Sequence, residues 1–213
     1  MPPIAGVVIL TAILIPAYFC ILMYIDNHTV YVRPGKFNFA NGSSDKTVET
    51  AVAYHQENKP EGEFSIEASV KGDGKAEATA QVGHEFEYLA QYKRPCVVGI
   101  EFEYKTNLRA DTSPVQAKAL LTIGVAGNQF KILDDSLTAS GHKSAKQFTG
   151  KKEKPMTRRF NVVFTQGQRF IIALSAQAIA DTTGTPSTEG CRAEIVASVK
   201  EIWFRPKLLF GLL

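Results

Sequence analysis

Four glutamates at alternating positions come closest to a chemical site in this sequence. Glu85 and Glu87 lie in one stretch of alternating polar and apolar residues, and Glu101 and Glu103 lie in the next. If the two stretches pair as a hairpin through residues 93–95, Glu87 lies opposite Glu101, and the other two glutamates also face each other. Like charges across a sheet repel, so this ladder needs a calcium ion or neighbouring basic side chains to neutralise it. The four carboxylates are therefore candidate metal ligands, although a solvated sheet face has the same spacing and paired carboxylates also serve in glycoside hydrolysis.

Other catalytic and cofactor-binding motifs are missing from the sequence. The histidines stand alone, without the His-x-His or helical His pairs that zinc sites use. There is no Gly-x-Ser-x-Gly elbow and no glycine-rich phosphate loop. The sequence therefore predicts a protein that is not an enzyme and that binds no cofactor.

The most basic stretch covers residues 143–159 and could contact anionic lipid or an acidic protein partner. Its basic residues are Lys143, Lys146, Lys151, Lys152, Lys154, Arg158 and Arg159, with Glu153 the one acid. A solvated loop between strands is the alternative. Nucleic acid is not expected as a partner, because only Phe148 is available to stack on bases and the net charge is only +3.

Two cysteines bear on the compartment of the protein. Cys96 and Cys191 each open a predicted strand on the face assigned to the core, so a disulfide between them is one expectation and two buried thiols are the other. The disulfide would stabilise the fold by about 4–5 kcal/mol in the chain-entropy model. The possible disulfide and two glycosylation-type triplets, at residues 27–29 and 41–43, favour an extracytoplasmic domain. Arg33 and Lys36, which follow the apolar segment, are few positive charges that favour the cytoplasm instead.

The elements that must position these residues begin with an N-terminal anchor. Residues 4–25 contain no charged side chain, and Asp26 ends the run. At about 1.5 Å per residue the run spans roughly 33 Å as a helix, which is enough to cross a bilayer. Pro16 is tolerated in membrane helices. The sequence therefore predicts one transmembrane helix at residues 1–25 and a single-pass membrane protein.

After the anchor, residues 26–47 are rich in turn formers and predict a connector, and residues 48–204 predict one β domain. Apolar residues recur there at every second position, which is typical of strands with one buried face. The predicted strands are 64–70, 76–82, 86–92, 96–106, 117–125, 130–133, 160–164, 170–176 and 192–204. The alternation slips at residues 200–202, which indicates a β-bulge. One-sided alternation favours an all-β antiparallel sandwich of the jelly-roll or Greek-key kind.

Residues 160–204 resemble the closing strands of many secreted jelly rolls, including carbohydrate-binding modules. The shared pattern is an aromatic strand, Gln166-Gly167-Gln168, a long strand of small residues, a polar loop and a strand that ends at Trp203. The resemblance covers about a fifth of the chain and implies the architecture, with no functional residue carried over.

The C-terminal segment 205–213 is an apolar tail that contains Leu208, Leu209 and Phe210. An exposed tail of this kind is unusual in a soluble domain. It either folds back on the sandwich or contacts a partner or the bilayer, with Trp203 at the level of the lipid headgroups.

These features predict a non-catalytic accessory subunit of a larger membrane complex, with other membrane subunits and the bilayer as partners. The alternative is a membrane-tethered carbohydrate-binding or adhesion module, which requires exposed aromatic residues on a sheet face or loop. A tethered hydrolase that uses the glutamate ladder is a third hypothesis.

Overall fold

Twelve strands in two antiparallel sheets make up the described part of the protein. The computed structural model describes residue 20 and residues 29–88, 94–111, 115–138, 140–147, 156–165 and 167–206. Sheet A contains β1 (Val30–Val32), β3 (Ala51–Asn58), β4 (Glu63–Gly72), β6 (Arg94–Ala110), β9 (Gly141–Gln147), β10 (Met156–Phe164) and β12 (Ser187–Pro206). Sheet B contains β2 (Phe39–Lys46), β5 (Lys75–Glu87), β7 (Gln116–Val125), β8 (Asn128–Leu137) and β11 (Arg169–Asp181).

The strand order is β10-β6-β12-β4-β3 in sheet A and β2-β5-β11-β7-β8 in sheet B. In sheet A, β9 continues the edge formed by β10, because both pair with β6, and β1 pairs with the last part of β12. Many consecutive strands lie in different sheets, so the chain crosses repeatedly between the two layers. The expected all-β sandwich is confirmed, and this arrangement is consistent with a jelly roll.

The alternating sequence pattern builds the core directly. In β7 every second residue from Ala117 to Val125 is fully buried, while the residues between them are half-buried on the outer face. β4 and β11 repeat this pattern, and the inner faces of the two sheets pack together as one apolar layer.

One end of the sandwich is closed by a cluster of phenylalanines. The rings of Phe164 and Phe170 stack at 3.9 Å between centroids, and Phe86 stacks on Phe170 at 5.4 Å. Phe204 meets Phe86 edge-on at 5.2 Å. At the same end Val30 lies opposite Phe204, so β1 and the end of β12 leave the sheet side by side. We call this the basal end.

The sequence prediction was wrong about the start of the domain. Residues 26–47 were expected to be a connector, but they contribute β1 and β2, and β3 was not predicted. β2 contains Asn41-Gly42-Ser43-Ser44, a composition that is typical of a turn. Gly42 gives space there to the side chains of His55 and Glu57 from β3, which a Cβ atom at this position would displace.

The predicted hairpin between residues 86–92 and 96–106 was also wrong. The strand predicted at 76–82 and the first two residues of the one predicted at 86–92 form a single strand, β5, which runs through Gly83 in sheet B, whereas β6 belongs to sheet A. The β-bulge predicted near residue 200 is confirmed, since the register between β12 and β6 shifts between Val199 and Glu201.

The transmembrane helix predicted at residues 1–25 lies outside the described residues, apart from Cys20. Within the described part, no helix has the length and apolar character needed to cross a membrane.

Candidate functional site

The outer face of sheet A carries a groove across four neighbouring strands. Asn58 of β3, Glu63 of β4, Ser198 of β12 and Glu103 of β6 lie in one cross-strand row. At about 4.8 Å per strand this row is roughly 15 Å wide. The residues lining the groove are Gln56, Asn58, Glu63, Phe64, Ser65, Glu103, Tyr104, Val196, Ala197 and Ser198, and its volume is about 350 Å³.

The bulge in β12 shapes one end of this groove. It begins at Val199, directly after Ser198, and the Val199 backbone N–H donates a 2.8 Å hydrogen bond to the carbonyl of Gly62 in the β3–β4 turn. Gly62 has φ = +73°, a left-handed conformation that favours glycine, and a Cβ atom there would meet the ring of Phe37. The bulge and the turn are therefore joined where the groove ends.

The side chains of the groove are amides, hydroxyls and carboxylates arranged around an apolar floor. The hydroxyl of Tyr54, which is 45% exposed, donates a 2.5 Å hydrogen bond to Oε1 of Gln56 and places an aromatic ring beside the groove. Glu103 forms an ion pair with Lys200, the extra residue of the bulge. Val196, at 38% exposure, supplies apolar floor between the polar groups.

A second surface, the Trp203 patch, lies nearer the basal end of the same face. Tyr31, Trp203, Gly99 and Arg159 form one cross-strand row on β1, β12, β6 and β10. A Cβ atom at Gly99 would lie 2.1 Å from Cε2 of Trp203, so the indole lies against this glycine. The guanidinium carbons of Arg159 and Arg205 lie 5.8 and 5.4 Å from the indole centroid, which is the geometry of cation–π contacts.

The acidic residues beside this patch are balanced by Arg33. Its Nε lies 2.6 Å from Oε2 of Glu201, and this ion pair raises the pKa of the Arg33 guanidinium. Glu101 lies directly opposite Glu201 across the ladder between β6 and β12. A pair of facing glutamates with a basic neighbour is therefore present, but Glu101 faces Glu201 and not, as the sequence predicted, Glu87.

The structure separates the four glutamates proposed as metal ligands. Glu85 and Glu87 lie in sheet B, where Glu87 is opposite Arg169 and 4.0 Å from its Nη2. Glu101 and Glu103 lie in sheet A, so the predicted ladder does not form. Among the residues that the structure describes, no group of three or more His, Cys, Asp or Glu side chains could hold a metal ion.

The basic stretch 143–159 is divided between two strands and a segment outside the described residues. Lys143 in β9 pairs with Asp135 of β8 and ties the edges of the two sheets together. Arg158 and Arg159 lie in β10 on opposite faces, and both are exposed. Lys151, Lys152 and Lys154 are outside the described residues, as are Leu208, Leu209 and Phe210, and the side chain of Lys146 is also not described.

The expected disulfide is not present, and Cys96 and Cys191 are two separate buried cysteines. Cys191 lies opposite Ala110 and Cys96 opposite Pro206, so the two cysteines are 14 residue steps (110 − 96) apart along β6. At about 3.3 Å per residue this is roughly 45 Å, far beyond the reach of a disulfide. Burial raises the pKa of the Cys191 thiol to about 11, and its sulfur lies 3.1 Å from the carbonyl oxygen of Gln116. The disulfide therefore gives no support to an extracytoplasmic location, which stays a prediction.

Sequence reasoning missed the residues that line the groove. They come from β3, β4, β6 and β12, which are far apart in the chain, and β3 was not predicted as a strand. Tyr54 and Tyr31 lie outside the inward-facing pattern of apolar residues, and their outward position in the alternation is the sequence signal that could have located either surface.

Comparisons with known proteins do not assign the chain to a family. No protein-family model matches it, and no curated protein matches its sequence. One similar solved structure is the C-terminal CBM6 of LamC, a marine laminarinase from Zobellia galactanivorans, with 10% identity over 83% of this chain and 98% of that chain and a TM-score of 0.25.

Two further solved structures show a similarly low resemblance. A family 35 carbohydrate-binding module from Clostridium thermocellum has 10% identity over 83% of this chain and 96% of that chain, with a TM-score of 0.23. A structure of infectious bursal disease virus has 10% identity over 82% of this chain and 38% of that chain, with a TM-score of 0.25. Similarity at this level identifies neither a family nor a ligand.

Proposed function

We propose that the protein is a non-catalytic glycan-binding module, tethered to a membrane by residues 1–25, and that the groove on sheet A holds the sugar. The observation that carries the proposal is the groove itself. Its volume of about 350 Å³ falls in the range of small-ligand sites, and its polar groups converge from four strands over an apolar floor.

The chemistry of the groove suits sugar hydroxyls. The amides of Gln56 and Asn58 can both donate and accept hydrogen bonds, and the hydroxyls of Ser65 and Ser198 can do the same. A sugar presents hydroxyls around its rim and C–H groups on its ring faces, so it needs both polar partners and apolar contact. Val196 and the neighbouring ring of Tyr54 offer the apolar contact.

The similar carbohydrate-binding modules have TM-scores of 0.25 or lower, which is too low to indicate a shared ligand. Of the two functions expected from the sequence, the groove supports the binding module. The described residues offer no feature that supports the accessory-subunit hypothesis.

A panel of soluble neutral oligosaccharides tests the proposal by isothermal titration calorimetry with the full chain in detergent. In the Gln56→Ala, Asn58→Ala double variant we expect affinity for any bound sugar to fall about 30-fold, from two lost hydrogen bonds of about 1 kcal/mol each. The matched control is Asn41→Ala, Gln81→Ala, which removes the same two residue types from the outer face of sheet B.

The control variant is expected to bind as the unmodified chain does. If no sugar in the panel binds, or if only the control pair weakens binding, the groove is not a glycan site. Release of shorter sugars during the titration would contradict the non-catalytic part of the proposal.

A further inference from the structure

The charge and polarity of the outer face of sheet A change from one cross-strand row to the next towards the basal end. Beyond the groove come the facing carboxylates of Glu101 and Glu201, and the next row contains Trp203 and Arg159. The following row contains Arg205, Val97 and Asn161, and after it comes Val163, which is 53% exposed. A surface that passes from acidic to basic-aromatic to apolar matches the gradient from water to the interface of a lipid bilayer.

Two guanidinium groups in the Trp203 patch form no ion pair with any residue that the structure describes. Arg33 forms an ion pair with Glu201, whereas Arg159 and Arg205 have no carboxylate within ion-pair distance among the residues that the structure describes. Both instead lie against the indole. The patch therefore presents the positive charges of Arg159 and Arg205 beside an amphipathic ring, and Tyr31, which is 49% exposed, adds a second such ring.

The most apolar parts of the sequence adjoin the same end. Val30 lies opposite Phe204, so residues 29 and 205 are neighbours in space. The uncharged stretch 4–25 precedes the first of these residues by a few positions, and the apolar tail 208–213 follows the second. Any membrane contact made by either segment brings the Trp203 patch to within a few residues of the bilayer surface.

We propose that the basal end of the sandwich rests on an anionic phospholipid surface, with Tyr31 and Trp203 at the level of the headgroups and Arg159 and Arg205 contacting lipid phosphates. Aromatic residues with polar edges concentrate at membrane interfaces, and unpaired arginines gain energy from anionic lipids. The groove lies farther along the strands and stays accessible. This inference does not depend on glycan binding.

The chain contains a single tryptophan, so its fluorescence reports on Trp203 alone. The full chain is reconstituted into vesicles of phosphatidylcholine, or of phosphatidylcholine and phosphatidylserine in equal parts, with and without a phosphatidylcholine brominated near the headgroup. Bromine quenches only an indole in contact with lipid. We expect quenching in the phosphatidylserine vesicles that exceeds quenching in phosphatidylcholine alone and that decreases as salt is raised.

The Arg159→Gln, Arg205→Gln variant is expected to lower the equilibrium constant for contact between Trp203 and lipid about 30-fold in phosphatidylserine vesicles, since each arginine contributes about 1 kcal/mol. The matched control is Arg109→Gln, Arg192→Gln, which removes two arginines from the far end of the same sheet face, where they pair with Glu189 and Glu67. Circular dichroism checks that both variants fold. Quenching that is absent, equal in the two lipid mixtures, or equally reduced in the control variant would overturn the proposal.

Discussion

Replacing Gly99 by alanine should lift the indole of Trp203 away from sheet A. A Cβ atom at residue 99 would lie 2.1–2.6 Å from Cε2, Cζ2 and Nε1 of Trp203, whereas ordinary carbon contacts are 3.4 Å or longer. The ring must therefore retreat by about 1.5 Å or change rotamer. Overpacking of this kind costs about 1–3 kcal/mol.

For a chain of this size, a loss of about 2 kcal/mol lowers Tm by about 4–8 °C. Because Trp203 is the single tryptophan, its emission should shift to longer wavelength and acrylamide should quench it more strongly. Thermal unfolding followed by far-UV circular dichroism gives the change in Tm on the same samples.

Gly124→Ala is the matched control for this experiment. Gly124 also lies on the outer face of a central strand, β7, but the nearest atom to its added Cβ would be a carbonyl oxygen at 3.9 Å. We expect Tm to stay constant or rise slightly, because alanine restricts the unfolded chain. If Gly99→Ala matches this control in both emission and Tm, the indole does not lie on Gly99 and the reasoning is wrong.

Three further predictions concern stability. Phe170→Ala should cost about 3–5 kcal/mol in urea unfolding, because it removes the ring that Phe86 and Phe164 both stack on. Thr182→Val should cost about 1–3 kcal/mol, because the buried hydroxyl donates to the carbonyl of Gly72 and accepts from the N–H of Gly74, whereas the exposed neighbour change Thr183→Val should be close to neutral. Stability should fall by about 2–3 kcal/mol as the pH rises from 9 to 11, because the unfolded thiol of Cys191 ionises first while its folded pKa is raised to about 11. Cys191→Ala should remove that part of the slope in urea titrations at each pH, and an unchanged slope would contradict the assignment.

The strands with clean alternation could be read from the sequence because burial on one face requires it. β4, β7 and the middle part of β12 have apolar residues at every second position and lie in the interior of their sheets. The edge strands β2 and β3 were missed because an edge strand next to solvent buries few side chains, and Gly42 and Ser43 in β2 are typical of turns.

Strand pairing could not be predicted in the same way. The residues 93–95 look like a hairpin turn, but a chain that passes from one sheet to the other needs a turn of the same composition. Because residues 93–95 were interpreted as a hairpin turn, Glu87 was predicted opposite Glu101, whereas it lies opposite Arg169. The groove depends on three registers at once, so Asn58 and Ser198 could be placed on either side of Glu63 only after all four strands had been placed.

The pairing of β1 with β12 determines how the domain would respond to mechanical force. The two strands are antiparallel and share three residue pairs, from Val30–Phe204 to Val32–Ile202. A pull between residues 29 and 205 acts across this ladder and opens its hydrogen bonds one at a time, because those bonds run perpendicular to the strands. β1 would therefore peel away at low force, before the much longer ladder between β6 and β12 opens. Tension between the two flanking segments would be released by this short strand, and the binding face would keep its shape.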